Sequence, residues 1–169
     1  MAGVRAGCLL LALITWMPAG AQQLEPIDLD LPMAMFVGTP QDFAVPNLEP
    51  PLGEPRPEFL APAGTENVAL DKFVEGSAYE PERGTFSQIV DDEKEAYDGS
   101  IVVLPEGPQH VTIDLEDLHT IYAVAIWHYH MQARVYKDVV VQVSTDPDFI
   151  LDVVTLYNND HDNSLGLGV

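Results

Sequence analysis

His110-Val111-Thr112-Ile113-Asp114-Leu115 is the stretch whose reading decides the fold. Val111, Ile113 and Leu115 alternate with His110, Thr112 and Asp114, and a period of two puts one set on a buried face and the other toward water. Residues 121–130, 138–144 and 152–157 carry similar β-type composition and are separated by turn formers such as Asp146-Pro147. A shorter run at 100–104 precedes the turn Pro105-Glu106-Gly107-Pro108. No segment after residue 65 sustains a helical period, and no internal repeat is present. The pattern predicts an all-β, antiparallel architecture of the sandwich or barrel kind.

Upstream of Thr65 the texture differs. Residues 22–64 hold nine prolines and seven acidic residues against one base, Arg56. Proline fixes φ and removes a backbone donor, so neither a helix nor a central strand can run through such a stretch. An acidic, proline-rich, extended segment is expected, with the apolar patches at 31–37 and 59–60 lying against a folded surface. Residues 1–21 follow the export pattern: one positive charge at Arg5, an apolar run over 6–16, Pro18, then Ala19-Gly20-Ala21. The apolar run is far shorter than the roughly 20 residues a bilayer span needs, so a signal peptide cleaved before Gln22 is expected and a membrane span in the mature form is not.

Cleavage removes Cys8, the only cysteine, and with it any disulfide, thiolate metal site or cysteine nucleophile. It also leaves six basic residues against 27 acidic ones, a net charge of −21 with histidines neutral. A phosphate backbone is repelled by that field, so nucleic acid is excluded as a partner, whereas calcium, neutral sugars and cationic surfaces remain.

Three constellations are candidates for chemistry. Trp127-His128-Tyr129-His130 ends the most apolar run, and strand alternation places Trp127 and Tyr129 on one face and His128 and His130 on the other. Such a pair of imidazoles can ligate a transition metal, the aromatics can stack on a sugar ring, or all four can cap the core. Arg134 follows closely enough to join a binding surface made by Tyr129 and His130. Asp91-Asp92-Glu93 opens an acidic turn, and Asp160, Asp162 and Ser164 place oxygens at every second position of a denser loop. Alternate oxygen ligands suit calcium, which makes Asp91, Glu93, Asp160 and Asp162 the candidate metal residues.

Asn67-Val68-Ala69-Leu70-Asp71-Lys72, the turn at Asp91, Val111-Thr112-Ile113-Asp114-Leu115, Ala125-Ile126-Trp127 and Asp138-Val139-Val140-Val141-Gln142-Val143-Ser144, in this order and spacing, resemble discoidin domains. These are the coagulation factor V/VIII type C domains of the galactose-binding-like group. The resemblance covers roughly residues 31–169, and its wording is that of a bacterial secreted subgroup. It implies a jelly-roll β-sandwich that binds glycans or surfaces through loops at one end, often with a structural calcium near the turn at Asp91. Asp92 stands where the family carries glycine, and His110 where it carries an aromatic.

The reading is a signal peptide (1–21), an acidic proline-rich segment (22–64) and a discoidin-like sandwich (65–169). About six strands are legible where a jelly roll uses eight, so an incomplete domain, truncated at its C-terminal end, is expected. The expected function is non-catalytic, extracytoplasmic binding of a carbohydrate, either a cell-surface glycan or a matrix polysaccharide, through Tyr129, His130 and Arg134. Two alternatives stay open: a metal-dependent enzyme built on His128, His130 and His161, and a structural envelope domain that packs on a neighbour.

Overall fold

A computed structural model describes residues 22–32, 45, 48, 54, 57–132 and 134–168. The expected leader and the apolar stretch at 33–37 lie outside the described residues. Among these residues six short strands form three two-stranded antiparallel sheets. β1 (Leu24–Pro26) pairs with β2 (Leu60–Pro62), β3 (Phe73–Gly76) with β4 (Val111–Asp114), and β5 (Val140–Val143) with β6 (Val154–Asn158). One 3-10 turn, Phe86–Ile89, packs against β3, and no other pair of these elements from different sheets touches. The all-β, antiparallel expectation holds at this level. No described helix is long and apolar enough to cross a membrane.

The alternation at 110–115 becomes β4, whose Ile113 stands opposite Val74 of β3. Ser77 extends the ribbon by one step, with its amide donating to the His110 carbonyl and its hydroxyl accepting from the His110 amide. At the other end Lys72 pairs with Glu116 at 2.5 Å, and Asp114 accepts from the Glu116 amide to turn the chain. Sequence reading missed β3, because Glu75 and Gly76 follow directly on its two-residue apolar start. That glycine has a packing reason: a Cβ there would overlap the Phe86 ring and meet the His110 carbonyl at 3.2 Å. Phe86 therefore fills the space that a side chain at residue 76 would occupy.

Buried apolar side chains among the described residues are few: Ala61, Val74, Val90 and Ala96. The run at 121–130, expected to be a strand, forms no regular element and pairs with no strand among the described residues, with Val124 and Ile126 half exposed. Its apolar residues are nearly continuous, so the composition fits burial on both faces, yet no described backbone pairs with it. The run at 100–104 contributes a single bridge, Val103 to Arg83. The segment at 67–72, part of the discoidin resemblance, forms turns.

Both strands of the first ribbon lie inside the proline-rich segment. Pro26 and Pro62 sit in a two-stranded sheet, where each strand keeps a free edge and a missing donor costs little. The ribbon is lengthened by the Ile27 amide to the Phe59 carbonyl at 3.0 Å and the Ala63 amide to the Gln23 carbonyl at 2.8 Å. Glu25 adds a clasp by accepting from the Gly64 amide. Proline thus excludes a central strand, as expected, while the two ends of the segment still clip together.

With so small a core, Val74 carries more than its size suggests. Val74→Ala removes two methyl groups from a 7%-exposed site and is expected to cost about 2 kcal/mol. A lower urea midpoint with an unchanged slope is the expected measurement.

Candidate functional site: an aspartate cluster beside an aromatic loop

β5 and β6 form a hairpin whose register sets the site. Val140 faces Asn158, so two steps further out Asp138 comes opposite Asp160. Asn159 locks this end: its amide donates to the Val139 carbonyl at 3.1 Å, and its side-chain oxygen accepts from the Val139 amide at 2.5 Å. Beyond it the chain coils around Asp160, which is 1% exposed. Asp160 Oδ1 accepts from the amide and hydroxyl of Ser164 at 2.9 and 3.1 Å, and Oδ2 accepts from the Leu165 amide at 2.9 Å. Asp162 also accepts from the Ser164 amide. Asn158 and Asn163 close the loop by bonding the carbonyl and amide of Gly168.

Asp138, Asp160 and Asp162 each offer an oxygen within 4.8 Å of the others. Among the described residues no lysine, arginine or histidine nitrogen lies within 4 Å of them. Calcium–oxygen distances of 2.3–2.6 Å put two ligands of one ion up to about 5 Å apart, so this spacing suits a hard cation. Asp160 uses three of roughly four lone-pair positions inside its own loop and keeps one for an outside partner. Withdrawal from water pushes the Asp160 carboxyl up, but bonds from Leu165 and Ser164, with the contact to Asp162, outweigh it and hold the carboxyl below its ordinary value.

Of the four expected metal residues, Asp160 and Asp162 come together and Asp91 and Glu93 do not join them. Asp91 accepts from the Glu93 amide at 2.9 Å, forming a turn. Glu93 accepts from the Glu95 amide and the Tyr97 hydroxyl, which lower its pKa and raise that of Tyr97. Asp92 has φ +65°, the left-handed conformation that glycine adopts freely, and its carboxylate holds Lys94 at 2.6 Å. Asp138 was the residue missed. A hairpin register written from the two runs at 138–144 and 152–157 would have found it.

The expected ligand residues lie on the segment that precedes β5. The Arg134 guanidinium carbon stands 4.3 Å over the Tyr129 ring centroid. His128 stacks on Tyr136 at 3.9 Å, desolvation lowers its pKa, and its carbonyl lies 3.3 Å from His130 Nδ1. His130 Nε2 is enclosed and has no hydrogen-bond partner among the described residues. Lys94 reaches to 5.6 Å from the Trp127 ring centroid, bringing the acidic turn at 91–98 against this segment. The Asn159 side chain donates to the Tyr136 carbonyl at 3.3 Å, so one residue joins the aromatic loop to the aspartate cluster. His128, His130 and His161 belong to no group of three potential metal ligands among the described residues.

No family model matches this chain, and no curated protein or solved structure is significantly similar to it. The discoidin resemblance rests on the chain's own residues.

A folded-state pKa below the unfolded one adds stability that is complete above the ordinary carboxyl range and disappears as pH falls through the depressed value. The Asp160 carboxyl carbon is expected to titrate by NMR with a midpoint below 3.8, the ordinary value, and the Ser164 and Leu165 amide signals should move with it. In Asp160→Asn those amides are expected to lose exchange protection at neutral pH, while 140–143 keep theirs.

Proposed function

We propose that this chain is the non-catalytic binding module of an exported protein, a jelly-roll sandwich that presents its 127–134 loop to a neutral carbohydrate. The observation that carries the reading is the Arg134 guanidinium lying over the Tyr129 ring. Stacking holds the planar fork in one orientation, and its fixed donors match paired sugar hydroxyls. Preorganisation matters because a free arginine loses considerable rotamer entropy on binding. The strongly negative net charge favours neutral sugars over anionic polysaccharides.

In this reading calcium is a structural ion held by Asp138, Asp160 and Asp162. Like charges directly across a ribbon are unfavourable, and a dication offsets them. Asn159 then transmits the order of the loop to Tyr136 and the ring stacked on it. Calcium is therefore expected to strengthen glycan binding without touching the glycan.

Two measurements test the proposal on the protein lacking its leader. A glycan array with and without calcium should give signals on neutral glycans, lost in Arg134→Ala and Tyr129→Ala although both melt like the wild type. Retained binding in both variants, or no glycan bound at all, removes the reading. Independently, calcium at a hundred times its dissociation constant should stabilise the fold by about 2.7 kcal/mol. The unfolding temperature should rise accordingly, return with chelator, and stay fixed in Asp138→Asn.

A further inference from the structure

Among the described residues β6 is bonded to β5 on one side and to no strand on the other. Natural edge strands are guarded by lysines, prolines or inward charges, or by bulges and short length, and of these β6 carries only the last two. Residues 153–159 read Val-Val-Thr-Leu-Tyr-Asn-Asn and contain no charge, proline or glycine. Val154, Leu156 and Tyr157 are 54%, 48% and 52% exposed. The register passes from Val141–Tyr157 to Gln142–Thr155, so Leu156 is the extra residue of a bulge.

This strand also forms one wall of an open cleft of about 320 Å³, lined by Thr155, Leu156, Tyr157, Asn158, Leu167 and Gly168. The far wall is held by the Asn158 side chain donating to the Gly168 carbonyl at 2.8 Å. Both ends of the uncharged stretch are acidic. Asp152 precedes it, and Asp138, Asp160 and Asp162 gather at the other end, where even a bound dication leaves the three carboxylates net negative.

We infer that the outer edge of β6 receives an extended peptide segment of another protein, which is apolar and threonine-like in its middle and carries lysine or arginine at both ends. Strand addition supplies main-chain hydrogen bonds for affinity, and alternate side chains entering the cleft supply selectivity. The acidic ends fix the sign of the partner. A second copy of this chain is a poorer occupant, because it brings the same large negative charge to the contact. The inference does not depend on glycan binding, which uses residues of the preceding loop.

The probe is a dye-labelled peptide of three threonine–valine repeats between two lysines, titrated by fluorescence anisotropy against the protein lacking its leader. Two control peptides carry glutamates in place of the lysines, or N-methyl groups on alternate backbone amides. Each control is expected to bind at least about tenfold more weakly, the first from charge reversal and the second from lost strand pairing. Asp152→Asn and Leu167→Asp should each weaken the lysine peptide, with amide protection at 140–143 unchanged as the check on folding. Equal binding of either control peptide, or no binding of the lysine peptide, overturns the inference. So does a dimer by sedimentation whose β6 amides are already protected without peptide.

Discussion

A carboxylate that accepts backbone amides is the interaction on which most of this structure depends. Asp160 shows it in its most enclosed form, ordering the loop from 160 to 168 through Ser164 and Leu165. The same device recurs at lower burial. Asp28, Asp91, Glu93, Asp114, Asp146 and Asp162 each accept from the amide two residues ahead, and the neutral side chains of Asn67 and Asn158 make the same turn. Asp146 also takes the amides of Leu151 and Ile150, which shape the turn between β5 and β6, and the bonds from Leu151, Asp148 and Ile150 hold its carboxyl below the ordinary value. Bonds to a charged acceptor are roughly twice as strong as neutral ones, and here they substitute for apolar packing. Much of the acidity therefore belongs to the turns. It is part of the architecture as well as of the surface.

The two candidate surfaces grow from this arrangement. Asn159 stands between them, with its amide and side-chain oxygen on Val139 and its side-chain nitrogen on Tyr136. Tyr136 in turn carries the stacked ring of His128, and Tyr129 and Arg134 are only a few residues away. The aromatic segment before β5 is thus joined to a ribbon by a polar contact.

Much of the strand pattern was legible. Clean alternation found β4, and the valine-rich runs found β5 and β6, because in each case a partner strand exists to complete the ladder. The run at 121–130 has stronger β composition than any of these and forms no ladder among the described residues, since composition reports only that a segment wants burial. β1 and β2 were hidden for the opposite reason: proline argues against strands in general, yet a two-stranded ribbon has an outward side on which proline does no harm. At the site, Asp160 and Asp162 were legible from their spacing. Asp138 was not, because its place depends on a pairing between distant runs. Asp91 and Glu93 share the spacing but spend their oxygens on local turns.

The clip between β1 and β2 has a kinetic meaning. The hairpin joining β5 and β6 closes over ten residues, between Val143 and Val154, whereas the clip closes over 33, between Pro26 and Leu60. Loop-closure entropy separates the two by about 1 kcal/mol in favour of the hairpin. The clip has three residue pairs, the two flanking backbone bonds at Ile27 and Ala63, and the Glu25 clasp with which to recover that difference. On these terms it assembles after the β5–β6 hairpin and opens before it.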